Sequence, residues 1–262
     1  MKKRDFDLIR LEKEICLATR EEGIGSIYER IILKRFFENL AQQYAFSTVL
    51  EYQGLAITKG IDMKHLLPRH CKITVVDKKV SKIKGDWPFK EKPCFSLSQK
   101  KQSKFDLVWN FAVVQLQPEI ISEMIALSNK FVLIFVPNFL NWGMPIHQLY
   151  HFLTRTDCQH AERGSILLRT QWGIKKLASQ KKIKIIKIGY IDMPPLPDIG
   201  FSIKELKNQL GVKTGLKRNP TPTNFEGVLK KINQMTFIEK LPLPEIMRSP
   251  FAHHLYLFGE RK

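Results

Sequence analysis

The sequence predicts an α/β fold: a Rossmann-like, doubly wound, mainly parallel sheet with an antiparallel last strand and additional helices at the N-terminal side. Three observations carry this. Short runs rich in β-branched and aromatic residues alternate with longer stretches of helical spacing, the signature of βαβ units. Residues 131–136 (FVLIFV) are apolar throughout, as a central parallel strand covered on both faces must be. A chain of 262 residues that is 44% hydrophobic buries enough surface to hold such a sheet without disulfide or metal staples.

The elements follow in order. Residues 5–20 place Phe6, Ile9, Leu11, Ile15 and Leu17 among charges and read as a helix, which Gly23 and Gly25 interrupt. Ser26 and Glu29 have the spacing of a capping box, which opens a second helix running to about Tyr44. Strands are expected at 47–52, 72–76, 105–111, 131–136 and 183–188, with helices at 57–67, 118–128 and 165–180 between them. Pro68 ends the first of these helices, and Pro118 starts the second. The proline-rich run 193–197 cannot sit inside a ladder, residues 202–240 read as helix and basic loop, and 254–258 (HLYLF) form the last strand. The predicted organisation is an N-terminal helical segment over 1–45 and one domain over 46–262. That domain carries an inserted lid around 138–164 and a helical basic insertion around 200–250.

Composition narrows the class. No apolar run approaches the ~20 residues of a membrane span, and the mixed charges of the first residues do not read as a signal peptide. Cys16, Cys71, Cys94 and Cys158 are scattered without pair spacing, which fits reduced thiols and a cytoplasmic protein. The net charge is +18, and residues 64–104 hold half of it, with twelve Lys or Arg against three acids. Such a stretch suits a polyanionic partner, RNA or an anionic membrane surface; a solvated lysine-rich surface explains it equally well.

Ligands of open α/β sheets bind outside the carboxyl ends of the strands, so candidate residues are sought there. Glu51 puts a carboxylate at the end of the first strand, and Gly54 in the following turn permits close backbone approach. Asp77 ends the second strand, 26 positions after Glu51, where an acid can accept both hydroxyls of a ribose. Each position also suits an ordinary turn; together they point to an adenosine-containing ligand.

The succession VLEY…G, ITVVD, GDWPF, FDLVWNFAVVQ and KFVLIFVPN resembles the class I S-adenosylmethionine-dependent methyltransferases of the methyltransferase type 11 group. The resemblance spans about residues 47–200 and the last strand. It implies that S-adenosylmethionine is the cofactor and that a methyl group passes to an acceptor, which the sequence does not identify. It further implies that Glu51 and Gly54 line the methionine moiety and that Asp77 holds the ribose. By the same resemblance Asp86 and Trp87 flank the adenine, and Asn110, Phe111 and Ala112 wall the methyl group. Gln53 and Leu55 stand where members of the family often have glycine.

Residues 138–160 concentrate Asn141, Trp142, His147, Tyr150 and His151, with Cys158 and His160 following. His147 and His151 are four apart and share a helix face, so they are the candidate general bases of an acceptor pocket. A zinc site lacks any CxxC or HExxH frame here, and a plain structural helix is the other reading. Asp192, after the 183–188 strand, is expected near the acceptor, and the His253–His254 pair is read as strand packing. Two rival functions stay open: a non-catalytic methyltransferase fold that binds RNA or protein, and another nucleotide enzyme such as a dehydrogenase. Against the latter, the chain has no glycine-rich pyrophosphate turn.

Overall fold

The computed structural model of the chain describes residues 12, 24–53, 67–68, 70–76, 104–154, 164–195 and 225–262. Within them six strands form one sheet: β1 (Thr48–Tyr52), β2 (Lys72–Val76), β3 (Phe105–Phe111), β4 (Ser128–Pro137), β5 (Ile183–Ile191) and β6 (His254–Arg261). Their order is β2-β1-β3-β4-β6-β5. β1 pairs parallel with β2 and β3, and β3 with β4. β6 lies antiparallel between β4 and β5. Five strands therefore end at one edge of the sheet, and β6 begins there. The predicted Rossmann-like class, antiparallel last strand included, is what the chain adopts.

Alternation along each strand sorts the side chains onto two faces. One face carries Val49, Leu107, Trp109, Phe111, Leu133, Phe135, Tyr256 and Phe258. It is covered by α1 (Ile24–Gln43) and by α5 (Phe225–Met235). Tyr28, Ile32, Phe36 and Leu40 recur every four residues and form the ridge of α1 that packs there, with Tyr44 just past its end. Phe37 meets the fully buried Trp109 edge to face at 5.0 Å, and Phe36 meets Tyr256 at 4.7 Å. The other face carries Leu50, Tyr52, Val108, Val132, Ile134, Leu255 and Leu257 under α2 (Ile120–Leu127) and α4 (Gln171–Gln180).

The boundaries differ from expectation in instructive ways. α1 already includes Ser26, so this residue lies within the helix and not at its cap. β4 starts at Ser128, where the 118–128 helix was expected to continue, because Ser128 pairs with Phe105 and its carbonyl accepts from Arg261 Nη1 at 2.8 Å. The expected 165–180 helix divides into a 3-10 turn (Leu167–Arg169) and α4. Thr170 between them is extended, and its hydroxyl accepts from Gly173 N at 3.2 Å, capping the second helix. β5 and β6 run three residues further than read, since Gly189, Tyr190 and Ile191 pair with Tyr256, Leu255 and His254, and Gly259, Glu260 and Arg261 pair with Ile185, Lys184 and Ile183. The expected helices at 5–20 and 57–67 lie outside the described residues apart from Glu12 and Leu67, as does all of 196–224.

Candidate active site

The connection from β1 leads to β2 on one side, and the connection from β2 crosses back to β3 on the other. The strand order thus reverses between β1 and β3, and the crevice at their carboxyl ends is where such sheets take ligands. Hydrogen bonds tie this edge together. Asn110, fully buried on β3, donates through Nδ2 to Tyr52 O at 2.7 Å and so spans the crevice. Its Oδ1 accepts from Val113 N and Val114 N, both at 3.2 Å, which turns the chain after β3. Gln53 N donates to Val76 O at 2.7 Å, joining the ends of β1 and β2, and Ala112 N donates to Phe135 O at 2.9 Å.

Glu51 sits on β1 beside Val75 and Trp109, on the face under α1, and is fully buried. Gln53 and Ala112 both turn through the left-handed region, with φ of 59° and 54°. A non-glycine residue there signals a turn held in place by its surroundings. The strand ends flanking the switch point are therefore fixed, with an acid at one and an Asn-Phe-Ala turn at the other. Asp77 directly follows the last residue of β2; Asp77, Gly54, Asp86 and Trp87 lie outside the described residues.

His147 and His151 lie on α3 (Gly143–Thr154), which follows β4 at the same edge. The loop leading into it is anchored by two buried asparagines. Asn138 Nδ2 donates to Ser249 O at 2.6 Å and to Ala252 O at 2.8 Å, and Asn141 Nδ2 donates to Ala252 O at 3.0 Å. Along α3, Ile146, Leu149, Phe152 and Leu153 are exposed.

A third group converges where β5 ends and β6 begins. Asp192 has φ of 65° and is 1% exposed. His253 N donates to its carbonyl at 2.9 Å, and His253 Nδ1 lies 3.0 Å from its Oδ2. His254 Nδ1 approaches the same oxygen at 3.4 Å, and its ring lies against Phe111, with centroids 4.7 Å apart. Glu29 on α1 stands close enough to feel Asp192 and both histidines. Beside it Tyr28 donates to Glu239 Oε1 at 2.8 Å, an oxygen that also accepts from Met193 N at 3.0 Å. Glu239 belongs to a short helix, α6 (Phe237–Lys240).

The electrostatics of this group follow from its burial. Loss of solvent would raise the Asp192 carboxyl, but His253 and then His254 reverse this and bring it down to about 2. Burial raises Glu29, and the charge of Asp192 adds to it; His254, Arg30 and His253 offset part, leaving it at about 7. Burial likewise lifts Glu239 above the usual carboxylate range, against the bonds from Met193 N and Tyr28. Two carboxyls near one another are thus pushed apart, one ionised and one able to hold a proton near neutrality, the arrangement that acid–base sites use.

Sequence reasoning placed Asp192 near the acceptor but gave the two adjacent histidines to packing. It had no signal for Tyr28, Glu29 or Glu239, because these come from segments far apart in the chain. Neither a family model nor a curated protein matches the sequence. Among solved structures the chain is similar to the plantazolicin methyltransferase BpumL in complex with SAH, at 14% identity and a TM-score of 0.42 over 98% of this chain and 99% of that one. It is also similar to the 16S rRNA methylase ArmA, at 11% identity and a TM-score of 0.44 over 94% and 91%. A third is a cyclopropane-fatty-acyl-phospholipid synthase-like protein from Lactobacillus casei, at 10% identity and a TM-score of 0.41 over 90% and 92%. At this degree of likeness, function has to be read from the site's own residues.

Proposed function

We propose that the chain is an S-adenosylmethionine-dependent methyltransferase of class I type. The observation that carries this reading is the switch-point crevice between β1 and β3, with buried Glu51 at one wall and the Asn110–Phe111–Ala112 turn at the other. The group fits what is present. A cationic sulfonium cofactor suits strand ends that offer a carboxylate and an aromatic ring, and the fixed left-handed turns at Gln53 and Ala112 leave backbone at the crevice rim. Glu51 and Gly54 would hold its methionine part, Asp77 its ribose, and Asp86 with Trp87 its adenine. Asn110, Phe111 and Ala112 would stand near the methyl carbon. When bound, the cofactor supplies an electrophilic methyl group; the protein's part is to orient it and to exclude water.

α3 and its flanking residues 138–164 serve in this reading as a lid over the acceptor, with His147 or His151 lining it. The exposed apolar residues of α3 support a surface that closes on something. The lysine-rich stretch 64–104 serves a polyanionic partner, and the site of action is the cytoplasm. Among the described residues, no helix is long and apolar enough to cross a membrane. A second reading, a fold retained for binding RNA or protein without catalysis, is favoured by Gln53, a non-glycine residue at the left-handed turn after β1.

Calorimetry with S-adenosylhomocysteine separates the two. Binding is expected, and Asp77→Ala should weaken it about ten- to a hundredfold, the value of hydrogen bonds to a charged group. No binding by the intact chain would overturn the methyltransferase reading. Unchanged affinity in the variant would remove Asp77 from the site.

A further inference from the structure

We propose that Asp192, His253 and His254 form the proton-accepting end of the acceptor site and that the acceptor is a cationic amine, so that the product is an N-methylated amine. This rests on the methyl-transfer reading above.

Position is the first argument. The cluster lies at the carboxyl edge of the sheet, and the His254 ring packs on Phe111, the residue next to Ala112 on the crevice wall. It therefore adjoins the crevice on the side away from β2, where the cofactor's ribose would lie. Charge is the second argument. The chain carries +18 overall, yet this spot gathers three carboxyls. The groups facing it are Tyr28, Glu29 and Arg30 from α1, with Arg35 further along that helix. Glu239 faces it from α6, Asp192 from the end of β5, and His253 and His254 from the start of β6. Among these groups Asp192, held ionised beside the two histidines, is the anion that an ammonium group would meet.

Asp192 also holds an unspent acceptor. Asp192 Oδ2 faces both histidines, whereas Asp192 Oδ1 is buried and has no hydrogen-bond partner. A buried carboxylate oxygen costs about 1–3 kcal/mol when unmatched, so an N–H donor arriving with the substrate would relieve it. His253 Nδ1 lies 3.0 Å from Asp192 Oδ2 and His254 Nδ1 lies 3.4 Å from it, which sets both rings beside the carboxylate. Crowding of two nitrogens on one oxygen is not the geometry of a metal cage, and among the described residues no set of three ligating side chains is placed to form one.

The chemistry balances. The ammonium donates one N–H to Asp192 Oδ1 and yields a proton to the His254 imidazole. The freed lone pair on nitrogen forms the new N–C bond as the C–S bond of the donor breaks, and that bond's electron pair stays on sulfur. The imidazolium, steadied by Asp192, then returns its proton to solvent. His254 and Asp192 touch the acceptor; His253 is a positioning residue.

The test uses the full chain labelled with 13C and 15N at histidine, with S-adenosylhomocysteine added, and three probes of nearly equal shape: phenethylammonium, phenethyl alcohol and phenylacetate. The expected result is that phenethylammonium shifts the His253 and His254 ring resonances and binds at least about tenfold more tightly than the alcohol, the value of one charge-assisted hydrogen bond. Phenylacetate should bind least. Asp192→Asn should erase the preference for ammonium while leaving S-adenosylhomocysteine affinity unchanged, which loss of packing alone would not do. Should that variant fail to fold, the ranking of the three probes on the unaltered protein decides. Equal binding of the three, or tighter binding of phenylacetate, with S-adenosylhomocysteine still bound would overturn this inference and spare the methyltransferase reading. Failure to bind S-adenosylhomocysteine would overturn both.

Discussion

Glu29→Gln should make the protein more stable at pH 8 while changing little at pH 5. Glu29 is half-buried on α1, and burial together with the charge of Asp192 raises its carboxyl from 4.5 to about 7. A group raised on folding favours the native state fully below its unfolded value, and that contribution is lost as pH rises through the folded value. The loss therefore falls between about pH 4.5 and 7. At about 1.4 kcal/mol per unit the full displacement corresponds to about 3 kcal/mol. Partial solvent contact reduces this to about 1–2 kcal/mol. Gln mimics the protonated carboxyl and cannot ionise, so it keeps the low-pH contribution at every pH. For a domain of this size, thermal denaturation should show the variant melting about 2–8 °C above the parent at pH 8 and within a degree or two at pH 5. Asp192, held at about 2, stays ionised throughout this window and does not confound the comparison. Melting curves of parent and variant that keep a constant offset from pH 5 to pH 8 would refute the assignment of Glu29 to the cluster.

Three further outcomes are expected. Gly173→Ala would place a Cβ 1.9 Å from Leu167 O, backbone that cannot yield without moving the 3-10 turn, and should destabilise by about 2–4 kcal/mol in urea denaturation. Asn110→Ala removes the bond to Tyr52 O and those from Val113 N and Val114 N; it should cost about 2–4 kcal/mol and lower S-adenosylhomocysteine affinity, since both crevice walls lose their brace. If the 64–104 lysines serve a polyanion, binding to RNA or to anionic vesicles should fall steeply between 50 and 200 mM salt, and absence of binding at about 50 mM salt would leave that surface to solvation.

Residue chemistry near in sequence was legible. FVLIFV marked β4 as central because every residue is apolar, and KITVV and FDLVWNF marked β2 and β3 to the residue. Where edges slipped, tertiary pairing overrode local preference: Ser128 left its helical run to pair with Phe105, and β6 extended to Arg261 to pair with Ile183. Glu51 was found by counting to the end of the first strand, whereas Asn110 came only from the family resemblance. The acidic cluster was not legible, since Glu29, Asp192, Glu239 and His253 meet only when α1, β5, α6 and β6 have packed. Two histidines at the head of an apolar run look like any strand entry until the carboxylate 61 residues earlier is placed beside them.

The position of β6 has a consequence for how the protein is made. It follows every other described strand, yet it is bonded on both sides, between β4 and β5. Until residues 254–261 have left the ribosome, β4 and β5 each present an unpaired border of backbone N–H and C=O groups beside apolar side chains, open to pairing with another nascent chain. A chain cut short before His253 lacks the strand that bonds β5 to the rest of the sheet and both histidines that face Asp192.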